Sequence, residues 1–140
     1  MMAKTIDMQF MRYINLFEKL CKVSTTDCFV YNNVIIFAVQ KKFVAKAIGK
    51  NGAGIRKISE VFGRRIKVVE MPQNKIHLEK FIAKVVDPIN FAKFEIKDGV
   101  AIISASRQSR VSLIGKKRCR QKELEDILRK FFGINRLRIA

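Results

Sequence analysis

The stretch AIGKNGAGIRKI, Ala47 to Ile58, sets Gly49 and Gly52 three residues apart with Lys50 and Asn51 between them. Apolar residues flank it at helical spacing, so the glycines fall at a turn between two helices. Such a turn leaves the N–H groups that open the second helix unpaired and partially positive, a site for an anion. Glycine at both ends removes the side chains that would hold a sugar-phosphate chain away from that backbone. Lys50 brings a mobile cation, and Asn51 brings hydrogen-bond donors for phosphate or sugar oxygens. Lys46, Arg56, Lys57, Arg64, Arg65 and Lys67 add positive field around the turn, while Ile48 and Ile55 form an apolar floor for bases. The chemistry this spacing suits is capture of a polyanionic strand rather than bond-making.

The charge of the whole chain agrees. Its 140 residues include 29 Lys and Arg against 12 Asp and Glu, a formal net charge of +17. Residues 1–70 carry 13 basic and 5 acidic groups and residues 71–140 carry 16 and 7, so both halves are set to face the polyanion. Hydrophobic residues make up 49%, enough for real cores. The longest apolar run, VIIFAV at Val34–Val39, is far short of the ~18 residues of a spanning helix, and no signal-peptide pattern opens the chain; no membrane partner and a cytoplasmic location are expected.

Other chemistries find no footing. Cys21, Cys28 and Cys119 form no C-x-x-C pair and read as reduced thiols; with His77 the only histidine, no metal-ligand spacing exists, and no cofactor is expected. A P-loop would need glycine where Val44 stands and a hydroxyl where Asn51 stands, and the order G-x-x-G-x-G is the reverse of the dinucleotide fingerprint. The acids are scattered, and Glu123, Glu125 and Asp126 read as the exposed face of a helix. No enzymatic activity is expected.

The elements that must position the loop occur twice. Asn32-Asn33 sits between CFVY and VIIFAV, and Asp98-Gly99 between FAKFEI and VAIISA, each pair suited to a two-residue hairpin turn. Gly49 follows Asn33 by 16 residues, and Gly115 follows Gly99 by 16. Each copy opens with a helical pattern: Phe10, Ile14, Phe17 and Cys21 in the first, Leu78, Phe81, Ile82 and Val85 in the second. After each loop comes another, carrying Ile55, Ile58 and Phe62 or Leu124, Ile127, Leu128 and Phe131, with stops at Gly63 and Gly133 and final strands RIKVV and RLRI. The predicted architecture is α+β, αββααβ twice, each a three-stranded sheet backed by helices, over residues 1–72 and 73–140.

The segment VAKAIGKNGAGIRKI resembles the I-G-x-x-G-x-x-I core of KH domains, with Gly49-Lys50-Asn51-Gly52 as the GxxG loop that clamps about four nucleotides of single-stranded nucleic acid. The helix-first order is similar to the type II form, and a tandem pair filling the chain resembles the archaeal NusA-type transcription factors. The resemblance implies single-stranded RNA as ligand, a place in transcription elongation or termination, and RNA polymerase or the ribosome as a further partner. Ribosomal and ribosome-assembly KH proteins and a polymerase adaptor are the alternatives it leaves open. The second copy, SLIGKKRCRQKELEDIL, departs from the pattern: it keeps Ile114, Gly115, Lys116 and Lys117 but has Arg118 in place of the closing glycine and Gln121 in place of isoleucine. With Arg107, Arg110, Arg120 and Lys122 and no acid from Arg107 to Lys122, that copy is expected to hold phosphates, with weaker base selection.

Overall fold

The computed structural model describes residues 8–25 and 27–140, which divide into two compact units, one up to Met71 and one over Pro72–Ala140. The first runs α1 (Met8–Cys21), β1 (Asp27–Tyr31), β2 (Val34–Val39), α2 (Val44–Ile48), α3 (Ala53–Phe62) and β3 (Ile66–Glu70). The second runs α4 (Leu78–Val86), β4 (Lys93–Lys97), β5 (Val100–Ser104), α5 (Arg107–Ile114), α6 (Cys119–Phe132) and β6 (Arg136–Ile139). Short 3-10 turns, Lys50–Gly52 and Lys116–Arg118, join α2 to α3 and α5 to α6.

Each unit holds one three-stranded sheet, ordered β1-β2-β3 or β4-β5-β6, with an antiparallel hairpin and then a parallel third strand. The hairpin turns are left-handed at both central residues: φ is 52° at Asn32 and 64° at Asn33, then 51° at Asp98 and 77° at Gly99. That twist matches the strands they connect, and Asn, Asp and Gly reach it at low cost. A parallel third strand needs a crossover, and the two helices around the glycine loop supply it. The loop is therefore fixed at the end of a sheet by topology rather than left on a free connection.

Alternation sets the first core. Ile35, Phe37 and Val39 of β2, Cys28 of β1 and Val68 of β3 share one sheet face and pack with Phe17 of α1, Ala47 of α2 and Ile58 of α3. Phe17 and Phe37 stack with ring centroids 4.1 Å apart, and Phe62 meets both Tyr13 at 5.2 Å and Phe37 at 6.0 Å. Aromatic contacts of this kind add to the burial of their large surfaces. Ile36, Ala38, Phe29 and Val69, on the opposite face, are buried as well, as the unbroken apolar run of β2 requires. In the second unit Leu78, Phe81, Ile82, Val85 and Val86 line the buried side of α4, and Leu124, Ile127 and Leu128 that of α6.

The helices α3 and α6 differ by four residues, 10 against 14, about one helical turn. Each apolar face thus leaves its loop in the same direction. Both stop at a glycine: in α3 the Arg64 N–H reaches back five residues to Ser59 O at 3.3 Å, a Schellman stop, and in α6 the Gly133 N–H returns to Arg129 O at 3.2 Å with Ile134 buried beyond it.

Candidate nucleic-acid interface

The first loop is held tight from beneath and left open above. Gly49 has φ 79° and ψ 169°, a conformation closed to side-chain-bearing residues, and a Cβ there would lie 2.6 Å from Gly54 N. A Cβ on Gly54 would in turn lie 2.7 Å from Ala47 O and 3.0 Å from Ile48 O. The ends of α2 and α3 are therefore pressed together across a glycine pair. Gly52, by contrast, would bring a Cβ near nothing but the Arg56 Nη1 tip, 3.4 Å away, so the outer side of the loop is clear.

Its donors are uncommitted. Gly52 N donates to Gly49 O at 3.1 Å and Ala53 N to Lys50 O, which closes the turn. Among the described residues the N–H groups of Lys50 and Asn51 meet no acceptor, and the exposed side chains of both have no partner. No side chain caps α3, and its first turn holds no acid, so the positive end of that helix is not neutralised from within. The contrast is α5, whose first turn is capped by Ser106 Oγ accepting from Ser109 N at 3.3 Å. Arg56 stiffens the loop by donating from Nη1 to Asn51 O at 2.8 Å.

The second loop repeats this backbone without its closing glycine. Gly115 has φ 76° and ψ 171°, Lys117 φ 56° and ψ 29°, and Arg118 φ 63° and ψ 23°; Asn51 and Gly52 have 54°, 28° and 77°, 11°. Arg118 accepts a left-handed conformation that costs a non-glycine residue about 1 kcal/mol or more. Arg118 N still donates to Gly115 O at 3.1 Å, and α6 too has neither a side-chain cap nor an acid in its first turn. Beside the loop lies a cleft of about 660 Å³. Val100, Ile114, Leu137 and Ile139 give it apolar walls, and Arg118, Gln121, Arg136 and Arg138 bring polar groups to it. Three arginines and no acidic residue stand among its lining, while the Glu125 carboxylate accepts from Leu137 N at 3.3 Å, so the balance of charge around it is positive.

The residues expected from the sequence fall into three sets. Gly49, Lys50, Asn51 and Gly52 form the first loop, with Ile48 and Ile55 half-buried at its two helix ends and Lys46 exposed on α2. Arg65 is exposed just before β3, and Lys67 is half-buried within it, beside Ile36. Gly115, Lys116, Lys117 and Arg118 form the second loop, but Arg120 turns away: its guanidinium meets Glu123 Oε1 at 2.6 Å, and its Cγ fills the space over Gly115. Arg56 serves the loop's own structure as much as any ligand.

Three contributors escaped the sequence reading. Gly54 is a packing glycine in mid-helix; Arg136 and Arg138 alternate along β6, a pattern that marks one face of a strand and could have found them. Of the thiols, Cys119 opens α6 directly after the second loop, while Cys21 Sγ donates to Ala47 O at 3.8 Å and burial raises its pKa above the ordinary thiol value. Among the described residues no group of three His, Cys, Asp or Glu is placed to hold a metal ion, and no helix is long and apolar enough to cross a membrane.

Residues 34–83 match the KH domain family, a span that runs from β2 through the Gly49–Gly52 loop and β3 into α4. The "Probable transcription termination protein NusA" of Methanocaldococcus jannaschii is 28% identical over 130 residues, 90% of this chain and 69% of that protein. The protein of the same name from Methanococcus vannielii is 25% identical over 131 residues, covering 91% of this chain and 74% of its own. Among solved structures, the crystal structure of APE1850 superimposes with a TM-score of 0.67 at 27% identity, over 96% of this chain and all of the other.

Proposed function

Because this chain is a KH-domain protein similar to the archaeal NusA proteins, we propose that its two units are tandem type II KH domains that hold single-stranded RNA during transcription elongation and termination. The observation that carries this reading is the first loop. Bare N–H groups at Lys50 and Asn51, an uncapped α3 and the exposed Lys50 side chain come together at one glycine turn. A phosphate set there gains hydrogen bonds and charge together, without displacing any contact of the folded chain. Bases then turn towards Ile48, Ile55 and the edge of β3.

The second unit adds hold rather than choice. Its loop offers the same backbone, while Lys116, Lys117, Arg118, Arg136 and Arg138 supply phosphate contacts. No step of catalysis is assigned to either unit. The reading places the protein in the cytoplasm, with RNA as its ligand and the transcribing polymerase as its neighbour.

Titration of labelled single-stranded RNA, the matching duplex and single-stranded RNA at rising salt tests it. Tight binding of the single strand, weak binding of the duplex and a steep linear loss of log affinity with log salt are expected. Equal binding of single strand and duplex would overturn it.

A further inference from the structure

Of seven asparagines in the chain, Asn51 alone precedes a glycine. The main-chain nitrogen of the following residue lies within reach of an asparagine carboxamide and can attack it, closing a five-membered ring. A side chain on that following residue obstructs the closure, and Gly52 has none. The carboxamide is also open, since Asn51 is exposed and its side chain has no partner among the described residues. A Cβ built on Gly52 would meet only the Arg56 Nη1 tip, 3.4 Å away, so on that side the linkage stands clear of the packed unit.

The charges around the linkage favour the reaction. Attack requires the Gly52 nitrogen to shed its proton, and it passes through anions, first the deprotonated amide and then the tetrahedral adduct at Asn51 Cγ. Arg56 Nη1 donates to Asn51 O at 2.8 Å, the carbonyl of that same peptide unit, and so draws charge from the deprotonated amide. Directly after the linkage α3 begins, with no side-chain cap and no acid in its first turn. What suits a phosphate therefore suits these anions as well. Two features oppose ring closure: the Gly52 N–H bond to Gly49 O, and the left-handed turn at Asn51, φ 54° and ψ 28°. That bond, at 3.1 Å, is towards the long end of the amide range and closes a surface turn, so local opening releases it at low cost.

We infer that Asn51 is a self-modification site, deamidating in the folded chain and thereby disabling the first loop for RNA, a consequence that rests on the RNA-binding reading above. Gly52 N forms a bond to Asn51 Cγ while the bond from Cγ to Nδ2 breaks, and the carboxamide nitrogen leaves as ammonia with the proton shed by Gly52. Water then opens the cyclic imide. Cleavage of the new bond leaves aspartate; cleavage of the original peptide bond leaves isoaspartate, with the main chain routed through Cγ. Either product sets a carboxylate where a neutral amide stood, and isoaspartate also lengthens the chain between Gly49 O and Gly52 N. The second loop lacks this chemistry, because Lys117 and Arg118 stand where the first has Asn51 and Gly52. Loss of this kind falls on the first loop alone.

The test holds the freshly purified full chain at neutral pH and follows each asparagine by peptide mass mapping, with digestion by an acid protease under conditions that do not promote the ring. Exchange of NH for O at Asn51, ahead of the other six asparagines, is expected. Ion exchange then separates converted from unconverted chain, and fluorescence anisotropy compares their affinities for a labelled single-stranded RNA of mixed sequence. One added negative charge at contact distance from a phosphate should weaken binding about fivefold. Asn51→Gln, whose longer carboxamide closes a ring far less readily, is expected to keep its mass and its starting affinity over the same period. Asn51 left intact, or converted no faster than the other asparagines, overturns the inference. Conversion with affinity unchanged overturns it too and spares the RNA-binding reading. Failure of the fresh protein to bind RNA overturns both that reading and the consequence drawn here, whatever the masses show.

Discussion

Replacing Lys50 and Asn51 together by aspartate separates the loop's part in binding from its part in folding. Both side chains are exposed and without partners, and the loop's internal bonds, Gly52 N to Gly49 O and Arg56 Nη1 to Asn51 O, end on main-chain oxygens that the substitution keeps. Asn51 sits at φ 54°, and aspartate is one of the few residues that tolerate this region. Two carboxylates beside the start of α3 also favour its dipole. The change in stability should stay within about 0.5 kcal/mol, less than about 4 °C in melting temperature for a domain of this size.

Binding should respond on another scale. Lys50→Asp and Asn51→Asp shift the local charge by about three units, and each unit near a phosphate at contact distance is worth roughly 1 kcal/mol in a well-solvated site. Roughly 3 kcal/mol corresponds to about a hundredfold loss of affinity. Contact distances lie within the Debye length of ~8 Å at physiological salt, so most of that loss should persist there. Paired measurements of thermal melting and of single-stranded RNA affinity by anisotropy check both halves. A melting loss that accounts for the binding loss, or an affinity within twofold of the unaltered protein, refutes the argument.

Other substitutions probe the frame around the loop. Arg118→Gly relieves a left-handed arginine and should raise stability by about 1 kcal/mol in denaturant or thermal unfolding; no gain would mean that the loop relaxes at no cost to the arginine. Gly54→Ala would gain about 1 kcal/mol if helix propensity decided, but its Cβ meets Ala47 O at 2.7 Å, so a net loss of about 1–3 kcal/mol and weaker RNA binding are expected. Phe17→Ala should cost about 3–5 kcal/mol by emptying the stack on Phe37, with the unfolding transition of the first unit moving most. Neutralising Lys50 alone, as Lys50→Met, should lower the salt slope of single-stranded RNA binding by about 0.7, and a slope left unchanged would remove Lys50 from the phosphate contacts.

Much of this arrangement was legible because it depends on local rules. The hairpin pairs Asn32-Asn33 and Asp98-Gly99, the stops at Gly63 and Gly133 and the apolar spacing of α1, α4 and α6 each follow from backbone freedom or periodicity within a few residues. The glycine loop carried its own signature, and so did its loss at Arg118. What stayed hidden depends on residues distant in the chain. Gly54 reads as a weak point in a helix until the carbonyl ends of α2 are seen against it. Arg120 reads as one more cation until Glu123, one turn on, is seen to hold it. Gln121 reads as a lapse from an apolar pattern, and its bond to Leu137 O, 16 residues away across α6 and β6, gives it another meaning. The left-handed Arg118 could not be foreseen either, since its own propensity argues against the conformation that the rest of the turn imposes.

Backbone amide shifts of the labelled protein, followed as a short single-stranded RNA is added, address the first loop directly. The account predicts the largest changes at the N–H groups of Lys50, Asn51 and Gly52 and the opening turn of α3, saturating with the affinity seen in solution. Silent loop amides, with the changes gathered instead on α1 or on the far end of α3, would contradict it.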